Sequence, residues 1–219
     1  MTELQLTQTD KEGLKQGIKS DGRKYSVRDN RDRFMYPNEW NDFYNVLVEK
    51  RQRITFNILM GTGCRINEAR NIKVGDVDLE RCNIILRITK IKAKKGEKNP
   101  RPRTVSISSA LTKKIRKYIS INKLKNEDYL GLLSAPGAHT AFKTNLEKAK
   151  VNNPHQLSLH NIRKTHGNYL KAIGVEGAEI CTRLGHDYNT FLTSYSSPNI
   201  FNQQDIIEIR RILGDVYMR

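Results

Sequence analysis

Residues 54–70 read ITFNILMGTGCRINEAR, and the punctuation of this stretch decides much of the fold. Ile54, Ile58 and Leu59 recur at spacings of three and four, so its first half is expected to be a helix with one buried face, ended by Gly61 and Gly63. Ile66 to Ile72 then reads as a short helix of its own. A GTG segment invites a nucleotide-loop reading, but this one follows a helix rather than a strand and lacks the third glycine of the dinucleotide fingerprint. That reading fails, and what remains is a helix stop followed closely by Arg65.

Upstream, Pro37 opens a helical pattern in which Trp40, Phe43, Tyr44, Leu47 and Val48 fall on one face. Downstream, Asn83 to Thr89 is rich in Ile and Leu, and Thr104 to Ser108 alternates Val105 and Ile107 with polar residues, so the two are expected to pair as a hairpin. Leu111, Ile115, Tyr118 and Ile119 mark the next helix, and Ala141 to Lys150 another. Ser158 can cap a helix with the stripe Ile162, His166, Tyr169, Leu170 and Ile173, stopped at Gly174. Glu176 to Leu184, stopped by Gly185, and Gln203 to Leu213, stopped by Gly214, complete the set. Two or three strands among about eight helices make a mainly α-helical α+β domain with a small antiparallel sheet or hairpin. Residues 1–33 have little apolar periodicity and read as a basic arm or linker, for which disorder is one outcome; the domain proper is expected over 34–219, with its C-terminal helix at 203–213.

The 219 residues carry 39 Lys and Arg against 23 Asp and Glu, a formal charge of +16. No apolar run approaches the roughly 18 residues of a membrane-spanning helix, and the first residues, MTELQLTQTD, lack the basic start and apolar stretch of a secretory leader. The expected location is therefore the cytoplasm, at the nucleoid or in the cytoplasm of a host. Cys64, Cys82 and Cys181 are odd in number and widely separated, which argues against a disulfide framework or a zinc knuckle. Between Lys90 and Lys125 thirteen basic residues face Glu97 alone, so twelve of the sixteen surplus charges sit in one sixth of the chain. A solvated loop and polar helix face is the ordinary explanation of a lysine run, but this concentration favours a polyanion, nucleic acid before an anionic membrane.

Three motifs carry the chemistry only when taken together: GTGCRINEAR at 61–70, HNIR at 160–163, and LGHDYNTFLTSY at 184–195. His160, His166 and His186 do not form a metal-ligand pattern, and His166 lies on an apolar stripe as a satisfied, partly buried histidine would. In order, Arg65, a hairpin lysine, His160-x-x-Arg163, His186 and Tyr195 nine residues later resemble the tyrosine recombinase (integrase) family. The resemblance covers residues 34 to 213 and implies that family's catalytic-domain fold. It also implies site-specific cleavage and rejoining of double-stranded DNA through a 3′-phosphotyrosyl intermediate, with no metal and no other cofactor. Self-association into a tetramer on DNA, from a chain that can be monomeric in solution, is implied as well.

Displacing an oxygen from a phosphodiester builds charge on two non-bridging oxygens, which calls for cations with fixed, bidentate donors. Arg65 and Arg163 are the candidates; His160 and Arg163, three apart, are expected to share a face that looks toward DNA. The Tyr195 phenol, with an ordinary pKa of about 10, needs a neighbour to take its proton, and His160 is suited to that. The resemblance assigns protonation of the departing 5′ oxygen to a hairpin lysine, best matched by Lys90 with Lys92 and Lys94 as rivals, and a phosphate hydrogen bond to His186. Glu68, one helical turn after Arg65, reads as a support rather than a base. Lys92, Lys94, Lys95, Lys98, Arg101 and Arg103 are expected to hold the duplex.

Family members usually add an N-terminal DNA-binding domain of about a hundred residues, whereas 33 residues are too few for a core. A catalytic domain by itself, or a minimal enzyme, is expected, and in either case binding should be weak and steeply salt-dependent. A binding constant that does not change between low and high salt would contradict this. The last helix either packs on its own domain or docks on a neighbouring protomer. Two rivals remain: a type IB topoisomerase-like enzyme, and a non-catalytic basic DNA-binding module.

Overall fold

A computed structural model describes residues 34–87, 102–189 and 200–217, together with the backbone of 15–18 and 24–27. The core is built around the helix expected from residues 54–62. Helix α1 spans Pro37–Asn45 and α2 spans Lys50–Thr62. Phe43 of α1 and Phe56 of α2 meet edge to face at 5.0 Å, and Phe142 meets Phe43 in the same way at 5.1 Å. All three rings are fully buried, and aromatic pairs in such geometries contribute about 0.5–1.5 kcal/mol beyond the area they bury. Helix α1 ends earlier than its apolar pattern suggests. Leu47 still reaches the core, while Val48, expected on the same buried face, is 91% exposed.

The chain leaves α2 through Gly63, whose φ of +65° is the left-handed cap conformation. The short helix α3, Ile66–Ala69, begins at Arg65. A three-stranded antiparallel sheet follows: β3 (Val77–Asp78), β4 (Asn83–Leu86) and β5 (Arg103–Ser106), in that order, numbering these strands after β1 (Lys15–Ile18) and β2 (Lys24–Val27). Strands β4 and β5 form the expected hairpin, with Ile84 opposite Val105 and Leu86 opposite Arg103. Ile84, Leu86 and Val105 are buried, so the period-two pattern points one face at the helices. Strand β3 pairs Val77 with Ile84 and is too short to leave a clear sequence signal.

Helix α4 (Ser109–Asn122) packs on α2, burying Leu111 and Ile115 while Lys113, Lys114, Arg116 and Lys117 face solvent. Helix α5 (Ala135–Lys148) starts six residues before the apolar run at Ala141, because the Ser134 hydroxyl caps it and Pro136 suits a first turn. Helices α6 (Leu159–Ala172), α7 (Gly177–Leu184) and α8 (Gln203–Leu213) lie where their stripes and glycine stops predict. Helix α8 packs against α1 and α2 of its own chain, burying Ile209 and Leu213. Strands β1 and β2 pair antiparallel, with Lys15 opposite Val27 and Ile18 opposite Lys24. Among the described residues no helix is long and apolar enough to cross a membrane.

Candidate functional site

The site forms where three chain segments converge: the turn after α2, the first turn of α6 and the end of α7. Arg163 joins them. It lies on α6 with 1% exposure and donates from Nη1 to the Gly63 carbonyl at 2.9 Å and from Nη2 to the Leu184 carbonyl. Those carbonyls belong to residues two positions before Arg65 and two before His186, so one guanidinium fixes the backbone that carries both. This departs from the expectation that Arg163 shares an outward face with His160. His160 is exposed, whereas Arg163 is turned into the junction. Burying an arginine is tolerable because its fixed fork donates to two carbonyls in the buried junction.

Gly63 makes the junction possible. A β-carbon there would stand 2.5 Å from His166 Cδ2 and 2.6 Å from Leu184 Cδ2, closer than carbon atoms can pack. His166 is completely buried, more so than its sequence reading implied. Its Nδ1 lies 2.7 Å from the Met60 carbonyl, which makes Nδ1 the donor and leaves Nε2 to accept from Arg183 Nε at 2.9 Å. Arg183 also donates to the carbonyls of Gly61 and Ser106, each at 2.7 Å, and to the Tyr217 hydroxyl. It thereby ties α2, β5, α6 and the chain after α8 to α7. Sequence reasoning missed Arg183; the only signal was a charged residue on the otherwise apolar side of a short helix.

Arg65 points to solvent, its side chain 48% exposed. Glu68, 2% exposed, accepts from the Arg65 backbone N–H at 2.9 Å and from Arg65 Nη1 at 3.3 Å. Arg103 completes the cluster, its Nη1 and Nη2 reaching Glu68 at 3.2 and 2.8 Å and its Nε the Arg183 carbonyl at 2.9 Å. Burial works to raise the Glu68 carboxyl, but the Arg103 hydrogen bonds and the Arg65 N–H hold it below the ordinary carboxylate range. The expectation that Arg103 belongs with the duplex-holding cations does not fit this placement. Its side chain is 10% exposed and its donors are turned inward to a carboxylate and a carbonyl. Lys90, Lys92, Lys94, Lys95, Lys98, Arg101 and Tyr195 lie outside the described residues.

The exposed side of the junction is strongly electropositive. Partial desolvation of the His160 imidazole, reinforced by the fields of Arg163, Lys164, Arg65 and His186, pushes its pKa down to about 4. His186, half-buried, is lowered first by burial and then by Arg163. These mutual fields put Arg65, His160, Arg163 and His186 in one neighbourhood and keep His160 neutral near pH 7. Cys64, adjacent to Arg65, is no competing nucleophile, because burial pushes its thiol up to about 11. Among the described residues no three His, Cys, Asp or Glu side chains gather to hold a metal.

The lowered histidines set a pH dependence of stability. Their folded values lie below the ordinary 6.5, for His166 well below, so the unfolded chain binds more protons as pH falls from about 6.5 toward 4. Stability is therefore fully present above that window and declines through it. Thermal melts are expected to show a falling Tm from pH 7 to pH 5, and a Tm that rises over this range would contradict the assignment.

Comparison with known proteins bears on the same region. The curated tyrosine recombinase XerA of Thermococcus kodakarensis is 27% identical over 172 residues, covering 75% of this chain and 55% of the relative. XerA of Thermococcus onnurineus is 26% identical over 173 residues, with the same coverage. The chain thus spans about half the length of these relatives. Among solved structures, the XerA recombinase superposes with a TM-score of 0.62 at 18% identity, over 82% of this chain and 64% of that one. The Tn1549 transposon integrase in complex with transposon right end DNA gives 0.60 at 18%, over 83% and 66%. XerH bound to its difH substrate gives 0.59 at 16%, over 84% and 57%. These likenesses show a shared fold. The description "Phage integrase family" matches residues 33–199, the span that contains the Arg163 junction and every motif around it, and the chain therefore belongs to the phage integrase family of tyrosine recombinases.

Proposed function

We propose that the chain is the DNA breaking and rejoining domain of a site-specific recombinase, with Tyr195 as nucleophile. The observation that carries the reading is the Arg163 junction, which links Gly63 and Leu184 and so gathers Arg65, His160 and His186 on one electropositive surface. Such a surface suits a phosphodiester. Arg65 contributes an exposed guanidinium to a non-bridging oxygen, Arg163 stabilises the turn that carries it, and His186 adds a further donor. His160, neutral at physiological pH, takes the phenolic proton as Tyr195 Oη attacks phosphorus. The phosphorus–5′ oxygen bond breaks, a 3′-phosphotyrosyl bond forms, and the departing oxygen takes a proton from a hairpin lysine, with Lys90 as first candidate. Attack by a 5′ hydroxyl from a partner strand reverses these steps and regenerates Tyr195. The bond energy is held in the covalent intermediate.

Double-stranded DNA is the substrate, and the basic residues between Lys90 and Lys125 contact its phosphates, with the inward-facing Arg103 as an exception. Strand exchange between two duplexes requires several copies of the chain, and a tetramer on DNA supplies four nucleophiles. A protein acting on cellular DNA works in the cytoplasm at the nucleoid.

Incubation with two distinguishable duplexes that share a target site tests the reading. Joined products linking the two labels are expected. Relaxation of a supercoiled circle without joining would transfer the assignment to a topoisomerase-like activity, and neither product would leave only DNA binding.

A further inference from the structure

Arg65, read above as the phosphate-binding guanidinium, already makes a 3.3 Å ion pair with the buried Glu68 carboxylate. Glu68 is 2% exposed, and a carboxylate has roughly four acceptor positions to fill. Two are filled from Arg65: the backbone N–H reaches Oε2 at 2.9 Å, and the side chain makes a longer contact of 3.3 Å to Oε1. The other two take the fork of Arg103, at 3.2 Å to Oε1 and 2.8 Å to Oε2.

Arg103 is itself held in place. Its Nε donates to the Arg183 carbonyl, and its guanidinium packs against Gly185, where an added β-carbon would stand 3.3 Å from Nη1. The side chain therefore spans the gap between α3 and the end of α7. Arg65 is the more exposed partner of the shared carboxylate, with nearly half of its side chain in solvent.

We propose that Arg103 is a positioning residue for Arg65: its buried fork takes up most of the Glu68 charge, so the carboxylate anchors the Arg65 backbone and holds the Arg65 guanidinium only by a 3.3 Å contact that a phosphate can displace. The inference rests on the phosphate-binding reading of Arg65 and adds a residue that the motifs do not contain. Removing the Arg103 charge leaves a buried carboxylate with two bare acceptor positions, and the nearest flexible donor is Arg65. Closing the 3.3 Å contact into a bidentate pair satisfies the carboxylate and withholds Arg65 from the substrate. Removing the carboxylate as well abolishes that trap.

The test is the sign of the coupling between two substitutions, read as the rate of covalent adduct formation with a nicked duplex. Arg103→Met is expected to slow the native chain by about 100-fold, and Arg103→Met with Glu68→Gln to recover at least about tenfold of that loss. A double variant no faster than Arg103→Met would assign Arg103 to packing alone and overturn the proposal. The pH profile gives a second sign. Without Arg103, burial raises the Glu68 carboxyl, so protonation frees Arg65 and the ratio of the Arg103→Met rate to the native rate rises as pH falls from about 8 to about 6. A flat ratio contradicts the proposal.

Carboxyl NMR titration of Glu68 separates this inference from the reading beneath it. Arg103→Met should raise the proton affinity of Glu68 at least about tenfold. That result supports the neutralising role even where the native chain forms no adduct, an outcome that removes the recombinase reading alone. An unchanged Glu68 titration overturns the proposal even where the native chain cleaves DNA. Should Arg103→Met fail to fold, Arg103→Lys, which keeps the charge but loses the fork, is expected to show the same shifts at smaller size, and no shift in it overturns the proposal.

Discussion

Arg163→Ala is expected to lose covalent cleavage by at least about 100-fold, because the turns that carry Arg65 and His186 lose the guanidinium that holds them in reacting geometry. Unlike the loss of a purely surface contact, this one is expected to lower stability as well. The carbonyls of Gly63 and Leu184 lose their shared donor in a buried junction, and an unsatisfied buried polar group costs about 1–3 kcal/mol. Arg163→Lys keeps the charge but cannot span both carbonyls, so it should retain part of the stability and little of the activity. Denaturant melts alongside the cleavage assay check the pair. A stable Arg163→Ala chain that cleaves at the native rate would remove Arg163 from both roles.

The second large effect is expected at a residue with no side chain. Gly63→Ala forces a β-carbon into a left-handed backbone position, at about 1–2 kcal/mol, and into His166 and Leu184, where overpacking adds about 1–3 kcal/mol. Each kcal/mol lowers Tm by about 2–4 °C in a domain of this size, so a fall of roughly 4–20 °C is expected by calorimetry. Because Gly63 sets the entry to Arg65, cleavage measured well below the new Tm should also fall. A native Tm would show that the turn adapts freely.

Much of this architecture is legible in the sequence because helices with one buried face announce themselves by spacing and by their stops. Gly63, Gly174, Gly185 and Gly214 fall at the ends of the expected helices. The order of Arg65, His160, Arg163 and His186 is legible too, since motifs survive as local strings. Orientation is not. Arg163 and His160 are three residues apart on α6, and spacing alone put them on one face; only the carbonyls offered by two distant turns explain why the arginine is drawn inward. Arg103 reads like the lysines around it because charge counting cannot distinguish a cation facing a duplex from one facing a buried carboxylate 35 positions away. Arg183 and the hydroxyl of Tyr217 meet for the same reason, through contacts whose partners are remote in the chain. Val48 and the early start of α5 reflect caps and chain exits, which override an apolar pattern by a few residues.

In the proposed reaction one tyrosine becomes covalently joined to DNA. Incubating the native chain with a nicked duplex that releases the 5′ fragment traps this intermediate, and denaturing electrophoresis followed by peptide mapping reads it. A covalent adduct carried on Tyr195 and absent from Tyr195→Phe is the predicted result. No adduct with the native chain, or an adduct that persists in Tyr195→Phe, would contradict the assignment of Tyr195 as nucleophile.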